Sequence, residues 1–482
     1  MKMKNLLAAI LLALIFILAA CNNAGDNKTN TGSTNTNDNN NFGNSTRDPA
    51  YQYGGERYDF RGEEFIILYV DLWPGPEVAE ETGDAVNDAK YMRRIETEEF
   101  FNVVIKQTGV SDIDALPKAV VNDVLGGLNS YDIALPHKLT AAALVTQGVL
   151  YNWDKMPNVD FSKKYWNQSI LKFVDIKGYI PYVSNDYSIS APSLVYFNKD
   201  LVAEYSLDSP YDFVKDGKWT IDKLTELAKQ VSKDLDGDGL YTEADLYGFA
   251  SLVNYHFINA MYGCGVTVGQ WNDGRYVIST DISRVQSMVE KYYDLLYNGN
   301  QSFGWTYQQH QDRGDDLLRF DSGRALFHLN ADTTALRAAD FNFGFLPYPK
   351  LDEYQETYLS ISWAQTICTP LNIRNPEKVG TVVEFFGAKG NELVLPAYNE
   401  ILLKGKVLRD NESGEILEML HGTMIYDFGF DFGAVNNLNY LLPTMLEQKT
   451  TNVASWFEKN SSMVQALYDG IVDAALDNAR WQ

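Results

Sequence analysis

One short acidic segment spaces its oxygen-bearing residues in the way that the ligands of a hard cation are spaced. The pattern covers a twelve-residue loop, 234–245, with a glycine at position 6, where such a loop turns sharply. The candidate ligands, at positions 1, 3, 5, 7, 9 and 12, are Asp234, Asp236, Asp238, the main-chain carbonyl of Leu240, Thr242 and Asp245. Close carboxylates repel one another unless a cation lies between them, so the spacing predicts a Ca²⁺ site.

The expected role of this calcium is structural. Position 12 carries Asp245 where sensor loops have the longer Glu, and no second amphipathic helix follows the loop. We therefore expect calcium to stabilise the fold without acting as a switch. The alternative is a solvated acidic turn after a helix.

Polar and aromatic side chains also follow two predicted strands directly. Asp71 and Trp73 come after the β-rich run 64–70, and His137 comes after the run 131–135. Between them the chain alternates strand, helix, strand, helix and strand, the order of a parallel sheet covered on both faces. Such sheets bind ligands beyond the carboxyl ends of their strands, so we expect these three side chains to face a ligand.

The rest of the body continues the alternation of strands and helices, which predicts an α/β fold. Thr220 is the expected N-cap of one helix. The other predicted elements are helices at about 85–101, 115–128, 221–232, 281–298, 314–320 and 462–476 and strands at about 102–106, 193–197, 246–249 and 325–329.

The first twenty residues have the pattern of an export signal. Lys2 and Lys4 precede an apolar run, 6–20, that is shorter than the roughly 20 residues needed to span a bilayer. The end of the run, Leu-Ala-Ala before Cys21, resembles a lipoprotein cleavage box. This resemblance implies a signal peptide over 1–20 and a lipid on Cys21; the alternative is an ordinary cleavage site with an incidental cysteine.

Residues 21–56 are rich in Asn, Thr, Gly, Ser and Asp and contain little that could pack. This composition predicts a disordered tether between the lipid and a globular body. The signal and tether resemble those of Gram-positive lipoproteins, which implies anchoring at the outer face of the cytoplasmic membrane.

Composition and missing motifs exclude several functions. The chain has 64 acidic against 40 basic side chains and a net charge of −24, which argues against nucleic-acid binding. It lacks Gly-x-Ser-x-Gly, His-Glu-x-x-His, Cys-x-x-Cys and P-loop motifs. A carboxylate pair for glycoside hydrolysis is not visible in a sequence, so a glycosidase remains the rival class. Export permits a disulfide between Cys264 and Cys368, but their spacing does not establish one.

Five segments of the body occur in a characteristic order. They are SLVYFNK at 193–199, GKWTIDKL at 217–224, FDSGRALF at 320–327, FGFLPYPK at 343–350 and DNESGEILEMLHGTMIYDFG at 410–429. In this order, and behind a lipoprotein signal, they resemble the extracellular solute-binding proteins of ABC importers, of the carbohydrate, maltose-binding-protein-like type. The resemblance covers most of the chain from about residue 57 onward.

The resemblance implies the type II periplasmic-binding-protein fold, which consists of two α/β lobes joined by crossover strands with a ligand cleft between them. The first crossover is expected near 189–193 and the second near 361–370. The implied lobes are 57–189 with 368–422 for lobe 1 and 190–367 with 423–482 for lobe 2.

The resemblance further implies a monomeric, non-enzymatic receptor that captures a carbohydrate, expected to be an oligosaccharide, by hinge closure and delivers it to ABC permease subunits. Sugar sites pair flat aromatic side chains with polar groups, and the implied cleft adds candidates to Asp71, Trp73 and His137. The added candidates are Asp186, Tyr187, Asn254, Tyr255, Asn330, Asp332 and Trp363. The alternatives are a lipid-anchored glycosidase, a sugar sensor or adhesin, and a peptide or modified glycan as ligand.

Overall fold

Runs of buried apolar residues form the strands of two main sheets. A computed structural model describes residues 48–189, 192–278, 281–313, 320–330, 339–361, 363, 365–404, 410–432 and 438–479. The strands are β1 Glu63–Val70, β2 Val103–Val110, β3 Ile133–Ala134, β4 Leu194–Asn198, β5 Tyr247–Val253, β6 Gly269–Asn272, β7 Arg275–Ile278, β8 Ser302–Thr306, β9 Ala325–Asn330, β10 Phe343–Leu346, β11 Ser360–Ile361 and β12 Met424–Ile425. The described residues also contain two two-stranded sheets, β6 with β7 and β11 with β12.

Helices cover these sheets and connect the strands. They are α1 Ala85–Phe101, α2 Ala115–Gly126, α3 Lys138–Thr146, α4 Gln168–Val174, α5 Lys199–Glu204, α6 Pro210–Lys215, α7 Ile221–Ala228, α8 Tyr255–Gly263, α9 Ile282–Tyr297, α10 Tyr307–Arg313, α11 Pro376–Lys389, α12 Leu395–Lys404, α13 Asn411–Thr423, α14 Phe428–Phe432, α15 Leu441–Glu447 and α16 Val453–Ala479. None of the helices in the described part of the chain is both long enough and apolar enough to cross a membrane.

The first lobe is built on a three-stranded parallel sheet with the order β2-β1-β3. Phe65, Ile67 and Leu68 of the central strand β1 are fully buried, as expected for a strand with a neighbour on each side and helices above and below. Asp84 caps α1 by accepting hydrogen bonds from the main-chain NH groups of Val86 and Asn87. The parallel order brings the carboxyl ends of β1 and β3 to one edge.

The second lobe is built on a five-stranded sheet with the order β10-β4-β9-β5-β8. β4 runs antiparallel to both neighbours, whereas β9, β5 and β8 are parallel. All seven residues of β5 are buried. Thr220 caps α7, as predicted, by accepting a hydrogen bond from Lys223 N (3.3 Å).

Among the described stretches of chain that pass between the lobes, two lie side by side. Before β4, Ser193 N donates to Ser360 Oγ in β11 (2.8 Å). A few residues further along the second stretch, Ile367 pairs with Val183 in an antiparallel bridge, and Cys368 pairs with Ala134 of β3. The second stretch therefore leaves the second lobe and joins the first between residues 361 and 367.

Two of the predicted domain limits differ from the observed packing. The predicted lobe limits place α13 in the first lobe, but Ser413 Oγ accepts a hydrogen bond from Phe345 N of β10 (3.1 Å), so α13 lies on the second lobe. The predicted tether also ends too late, because Lys164 pairs with Asp48 (2.9 Å) and the ring of Tyr53 contacts Phe385. The body therefore includes the described residues from 48 onward.

Candidate functional site

Four rings form a continuous line, here called the aromatic row: Trp73, His137, Trp363 and Phe430. The rings of Trp73 and His137 are stacked, with centroids 5.7 Å apart and planes 16° apart. Trp363 follows at 6.3 Å from His137, and Phe430 meets Trp363 edge to face at 5.0 Å. Trp73 is 45 % exposed, whereas Phe430 is fully buried, so the row leads from solvent into the protein.

The members of the row come from separate parts of the chain. Trp73 follows β1 and His137 follows β3, so both lie at the carboxyl edge of the first sheet. Trp363 lies on the second stretch between the lobes, and Phe430 lies on α14. Three residues predicted from the sequence, Trp73, His137 and Trp363, are thus brought together by parallel strand order and by the crossover.

The row is connected to the second lobe through Asn259 of α8. Trp363 Nε1 donates a hydrogen bond to Asn259 Oδ1 (2.7 Å). Asn259 is only 1 % exposed, and its Nδ2 has no hydrogen-bond partner within the part of the chain that the structure describes. A buried amide without a partner is costly, so this donor is suited to a ligand or water in the site.

Asp71 supplies a carboxylate beside the exposed end of the row. It is exposed, and its Oδ1 accepts a hydrogen bond from the Tyr69 hydroxyl (3.2 Å). Because Asp71 is two residues before Trp73, it is a candidate acceptor for a ligand at this end of the row.

His137 is a neutral ring at ordinary pH. Burial, together with the adjacent Lys138 cation, lowers the pKa of His137 to about 4. The middle of the row is consequently uncharged.

The prediction of Tyr187 as a ligand platform is wrong. Tyr187 is 5 % exposed and packs against two side chains of the first lobe. Phe386 stacks on its ring at 4.6 Å, and the guanidinium of Arg93 lies 4.2 Å from the ring centroid. A ring that is almost fully buried against these side chains has little surface left for a ligand, and such packing is the usual role of aromatic residues in a core.

Asp186, next to Tyr187, is engaged within the first lobe. Its Oδ2 accepts a hydrogen bond from Asn391 Nδ2 (2.8 Å), and burial raises the pKa of this carboxyl to about 7. No contact among the described residues joins Asp186 to the aromatic row.

The remaining cleft candidates lie on the second lobe. Asn254 is half-buried directly before α8, and Tyr255 is the first residue of that helix. Asn330 ends β9, opposite Leu194 of β4. Asp332 lies outside the described residues, so these four stay predictions.

The acidic loop brings three of its six predicted ligand positions together. Carboxylate oxygens of Asp234, Asp236 and Asp245 all lie within 4.8 Å of one another, and Gly239 has a φ of +83° at the sharp turn. Asp238 is outside this trio, and its Oδ1 accepts a hydrogen bond from Leu240 N (2.7 Å).

The loop is closed by its last residue. Asp245 is fully buried, and it accepts hydrogen bonds from Leu235 N (2.8 Å) and Thr242 N (2.7 Å). Position 12 therefore lies back against positions 1 and 3, in spite of its shorter side chain. The donor set, all oxygen and mostly carboxylate, fits a hard cation such as Ca²⁺.

The cysteine predictions separate into two cases. Cys264 and Cys368 are buried free thiols, with their sulfur atoms near Pro349 O (3.9 Å) and Ala134 O (3.4 Å), so they do not pair. Cys21, the predicted lipid attachment site, lies outside the described residues.

Sequence analysis missed the contributions of Phe430 and Asn259 to the site. Phe430 belongs to the run Phe428-Gly-Phe-Asp-Phe, whose density of aromatic residues was a visible signal. Asn259 has no such signal, because nothing in the sequence of α8 shows which of its faces meets residue 363.

Comparison with solved structures identifies the fold. The chain is similar to an ABC substrate-binding protein from Listeria monocytogenes in complex with cycloalternan, at 12 % identity and a TM-score of 0.53, over 85 % of this chain and 98 % of that one. It is also similar to the galacto-N-biose/lacto-N-biose I-binding protein of Bifidobacterium longum, at 12 % identity and a TM-score of 0.55, over 88 % and 98 % of the two chains.

A third similar structure is the maltose/maltodextrin-binding domain from Bdellovibrio bacteriovorus bound to maltotriose, at 13 % identity and a TM-score of 0.51, over 86 % of this chain and all of that one. No family model matches the chain, and no curated protein is significantly similar to it. The structural likenesses confirm the predicted fold class, the two-lobed α/β fold of ABC-transporter binding proteins.

Proposed function

We propose that the protein is an extracellular receptor that captures a carbohydrate and delivers it to an ABC permease. The observation that carries this proposal is the aromatic row, which offers apolar ring faces between two lobes beside the hydrogen-bonding groups of Asp71 and Asn259. Sugars present apolar faces and hydroxyl edges, and this combination matches both. The fold supports the same function, because the similar structures described above are sugar-binding receptors by their own descriptions.

The proposed mechanism is hinge closure. Trp73 and His137 belong to the first lobe and Asn259 to the second, with Trp363 on the connection between them. A sugar that contacts all of them binds the closed arrangement more tightly than the open one, and the population shifts by that difference in affinity. The chemistry is therefore recognition, and no bond is made or broken.

The rival function, glycoside hydrolysis, is less well supported by the side chains near the row. A glycosidase places two carboxyl groups across the scissile bond, about 5–9 Å apart. Asp71 is one carboxylate near the row. A second is Asp431 of α14, which is next in sequence to Phe430, accepts a hydrogen bond from Tyr182 (2.9 Å) and lies 3.5 Å from Lys138. Asp431 is thus occupied within the protein, which favours binding over hydrolysis.

A ligand screen with product analysis tests the proposal. The protein is mixed with mono- and oligosaccharides, amino acids and short peptides, and its melting temperature is recorded. We expect an oligosaccharide to raise it; a ligand at 100 times its dissociation constant adds about 2.7 kcal/mol to the free energy of unfolding. Mass spectrometry should recover that sugar unchanged. Cleavage of the sugar, or stabilisation by peptides alone, would contradict the proposal.

We further propose that a lipid on Cys21 anchors the receptor at the outer face of the membrane. The support is the basic start, short apolar run and small residues before Cys21. A Cys21→Ser variant should lose metabolic labelling by palmitate and move from the membrane fraction to the medium. An unlabelled wild-type protein would contradict the lipid anchor and leave the sugar-binding proposal intact.

The acidic loop is proposed to hold a structural Ca²⁺. Asp234, Asp236 and Asp245 would supply carboxylate oxygens, with further oxygens from Asp238, Leu240 and Thr242 as in the predicted pattern. Calcium would neutralise the repulsion among the carboxylates of this exposed loop. It contributes to stability in this proposal and has no part in sugar recognition.

A further inference from the structure

A buried ion pair lies directly behind the aromatic row. Lys138 begins α3 and Asp431 lies in α14; their side chains are only 1 % and 2 % exposed, and Lys138 Nζ is 3.5 Å from Asp431 Oδ1. The Tyr182 hydroxyl donates a hydrogen bond to Asp431 Oδ2 (2.9 Å), which connects the pair to the chain just before the bridge at Val183.

Each member of the pair is next in sequence to a member of the row. Lys138 follows His137, and Asp431 follows Phe430, the two rings that Trp363 contacts. α3 and α14 pack against each other, so the ion pair joins the two elements that hold these rings.

The Lys138 ammonium also contacts aromatic faces directly. It lies 4.0 Å from the centroid of the Tyr426 ring and 5.7 Å from that of Phe430. Cation–π contacts of this kind strengthen when the cation is shielded from water. The charge of Lys138 therefore acts on both Phe430 and His137, and the position of Lys138 is also tied to that of His137 because the two are adjacent in sequence.

Stability alone is a poor explanation for such a pair. Taking two charges out of water costs about as much as their attraction returns, and well-packed apolar side chains often stabilise a protein as much or more. A role in fixing geometry is a better explanation, because an ion pair with a third hydrogen-bonding partner has few alternative arrangements.

We propose that Lys138 and Asp431 are positioning residues that fix His137 and Phe430 on either side of Trp363. The effect of this positioning on sugar binding rests on the proposed function, because the sugar is proposed to lie on the row. The pair holds the rings of the row in position in the unliganded protein. Binding therefore does not lose free energy in ordering these rings.

The test has one readout without ligand and one with ligand. The full-length protein in detergent is labelled with 5-fluorotryptophan, and the ¹⁹F signals of Trp73 and Trp363, two of nine tryptophans, are assigned with Trp→Phe variants. The double variant Lys138→Met with Asp431→Asn removes both charges and leaves an acceptor for Tyr182. We expect the Trp363 signal to shift or broaden and the affinity for the sugar found by the screen to fall at least tenfold.

A matched control is Glu384→Gln. Glu384 is also a buried carboxylate that accepts hydrogen bonds from a tyrosine and a tryptophan, Tyr165 and Trp166, but it lies among residues that do not contact the row. This variant should change the melting temperature without altering the Trp363 signal or the affinity. Lys138→Arg, which keeps the charge, should retain most of the wild-type signal.

A double variant with a lower melting temperature but unchanged Trp73 and Trp363 signals would mean that Lys138 and Asp431 only stabilise the fold. This result would overturn the inference. If the double variant does not fold, Tyr182→Phe, which deletes the hydroxyl on Asp431, takes its place with the same expectation of a shifted Trp363 signal. The ligand-free signals decide the inference even if no sugar binds, in which case the proposed function fails separately.

Discussion

At the scale of single residues, Trp73 is the member of the aromatic row that a ligand reaches with least rearrangement, because 45 % of its surface is exposed. We expect Trp73→Ala to weaken sugar binding about tenfold, or about 1.4 kcal/mol, close to the value of a stacked aromatic contact. The melting temperature of the unliganded protein should change little. Isothermal titration calorimetry on both proteins measures the difference.

The control for Trp73 is Tyr354→Ala, which removes a ring that is 94 % exposed and has no contact with the row. It should leave the affinity unchanged. If both variants bind equally well, Trp73 is not a platform and the ligand lies elsewhere.

Glu384 gives a prediction about pH. It is 3 % exposed, and burial raises the pKa of its carboxyl to about 7. The hydrogen bonds that Tyr165 and Trp166 Nε1 donate to the carboxylate lower the pKa, but they offset only part of this rise. Because the pKa is higher in the folded than in the unfolded protein, the contribution of Glu384 is full below about pH 4.5 and is lost as the pH rises to about 7.

The free energy of unfolding of the wild type, minus that of Glu384→Gln, should therefore fall between about pH 4.5 and 7, by up to about 3 kcal/mol. Urea unfolding of both proteins at several pH values measures this difference. An offset that is constant over the range would mean that Glu384 stays ionised on folding.

Sequence reasoning at this scale succeeded where a residue's place in the strand order determined its position. Trp73 and His137 follow parallel strands of one sheet, so their meeting could be foreseen. The burial of Tyr187 could not be predicted in the same way. It depends on Arg93 and Phe386, which pack against the ring from distant parts of the chain.

At the scale of elements, the acidic loop is predicted to couple calcium to stability. Calcium at 100 times its dissociation constant should add about 2.7 kcal/mol to the free energy of unfolding, and a chelator should reverse the gain. Asp236→Asn should reduce this gain, because Asp236 belongs to the carboxylate trio and is itself exposed. Thermal unfolding with calcium and with chelator measures both effects.

Glu243→Gln provides the control within the same loop. Glu243 is at position 10, which supplies no ligand in the pattern, and its carboxylate pairs with Arg313. This variant should keep the full response to calcium. Equal melting temperatures for the wild type with calcium and with chelator would contradict the metal site.

Helix limits show where local patterns mislead. The sequence predicts that the last helix begins near Ser462, but α16 begins at Val453. Asn460 and Ser461 resemble a helix start, yet their side chains donate to the carbonyls of Trp456 (2.7 Å) and Phe457 (2.5 Å), one turn earlier. These hydrogen bonds let polar residues remain inside a helix, and their presence cannot be read from composition.

At the scale of the whole molecule, the two-lobed architecture followed from the order of motifs, whereas the assignment of α13 to a lobe did not. An amphipathic helix must bury one face, but its sequence does not say against which sheet. Here Tyr211 donates to Asp410 (3.0 Å) and Ser413 accepts from Phe345, contacts between residues far apart in sequence. Lobe membership is therefore a tertiary property.

Hinge closure is the property of the whole molecule that the proposed function requires. Leu125 on the first lobe is 78 % exposed and Tyr354 on the second is 94 % exposed, so both can be replaced by cysteine and labelled with a dye pair. Cys264 and Cys368 should stay unlabelled because both are fully buried, and burial raises the pKa of the Cys264 thiol to about 12. We expect the sugar to change the energy transfer between the dyes.

The size of that change depends on how differently the open and closed forms bind the sugar, since a ligand with equal affinity for both forms shifts nothing. Trp73→Ala in the labelled protein should require a higher sugar concentration for the same change, because the contact it removes lies on the first lobe and contributes to closure. Asn259, which holds Trp363, is the proposed matching contact on the second lobe. Energy transfer that stays constant while calorimetry reports saturation would mean that the sugar binds one lobe alone, and delivery by closure would then be ruled out.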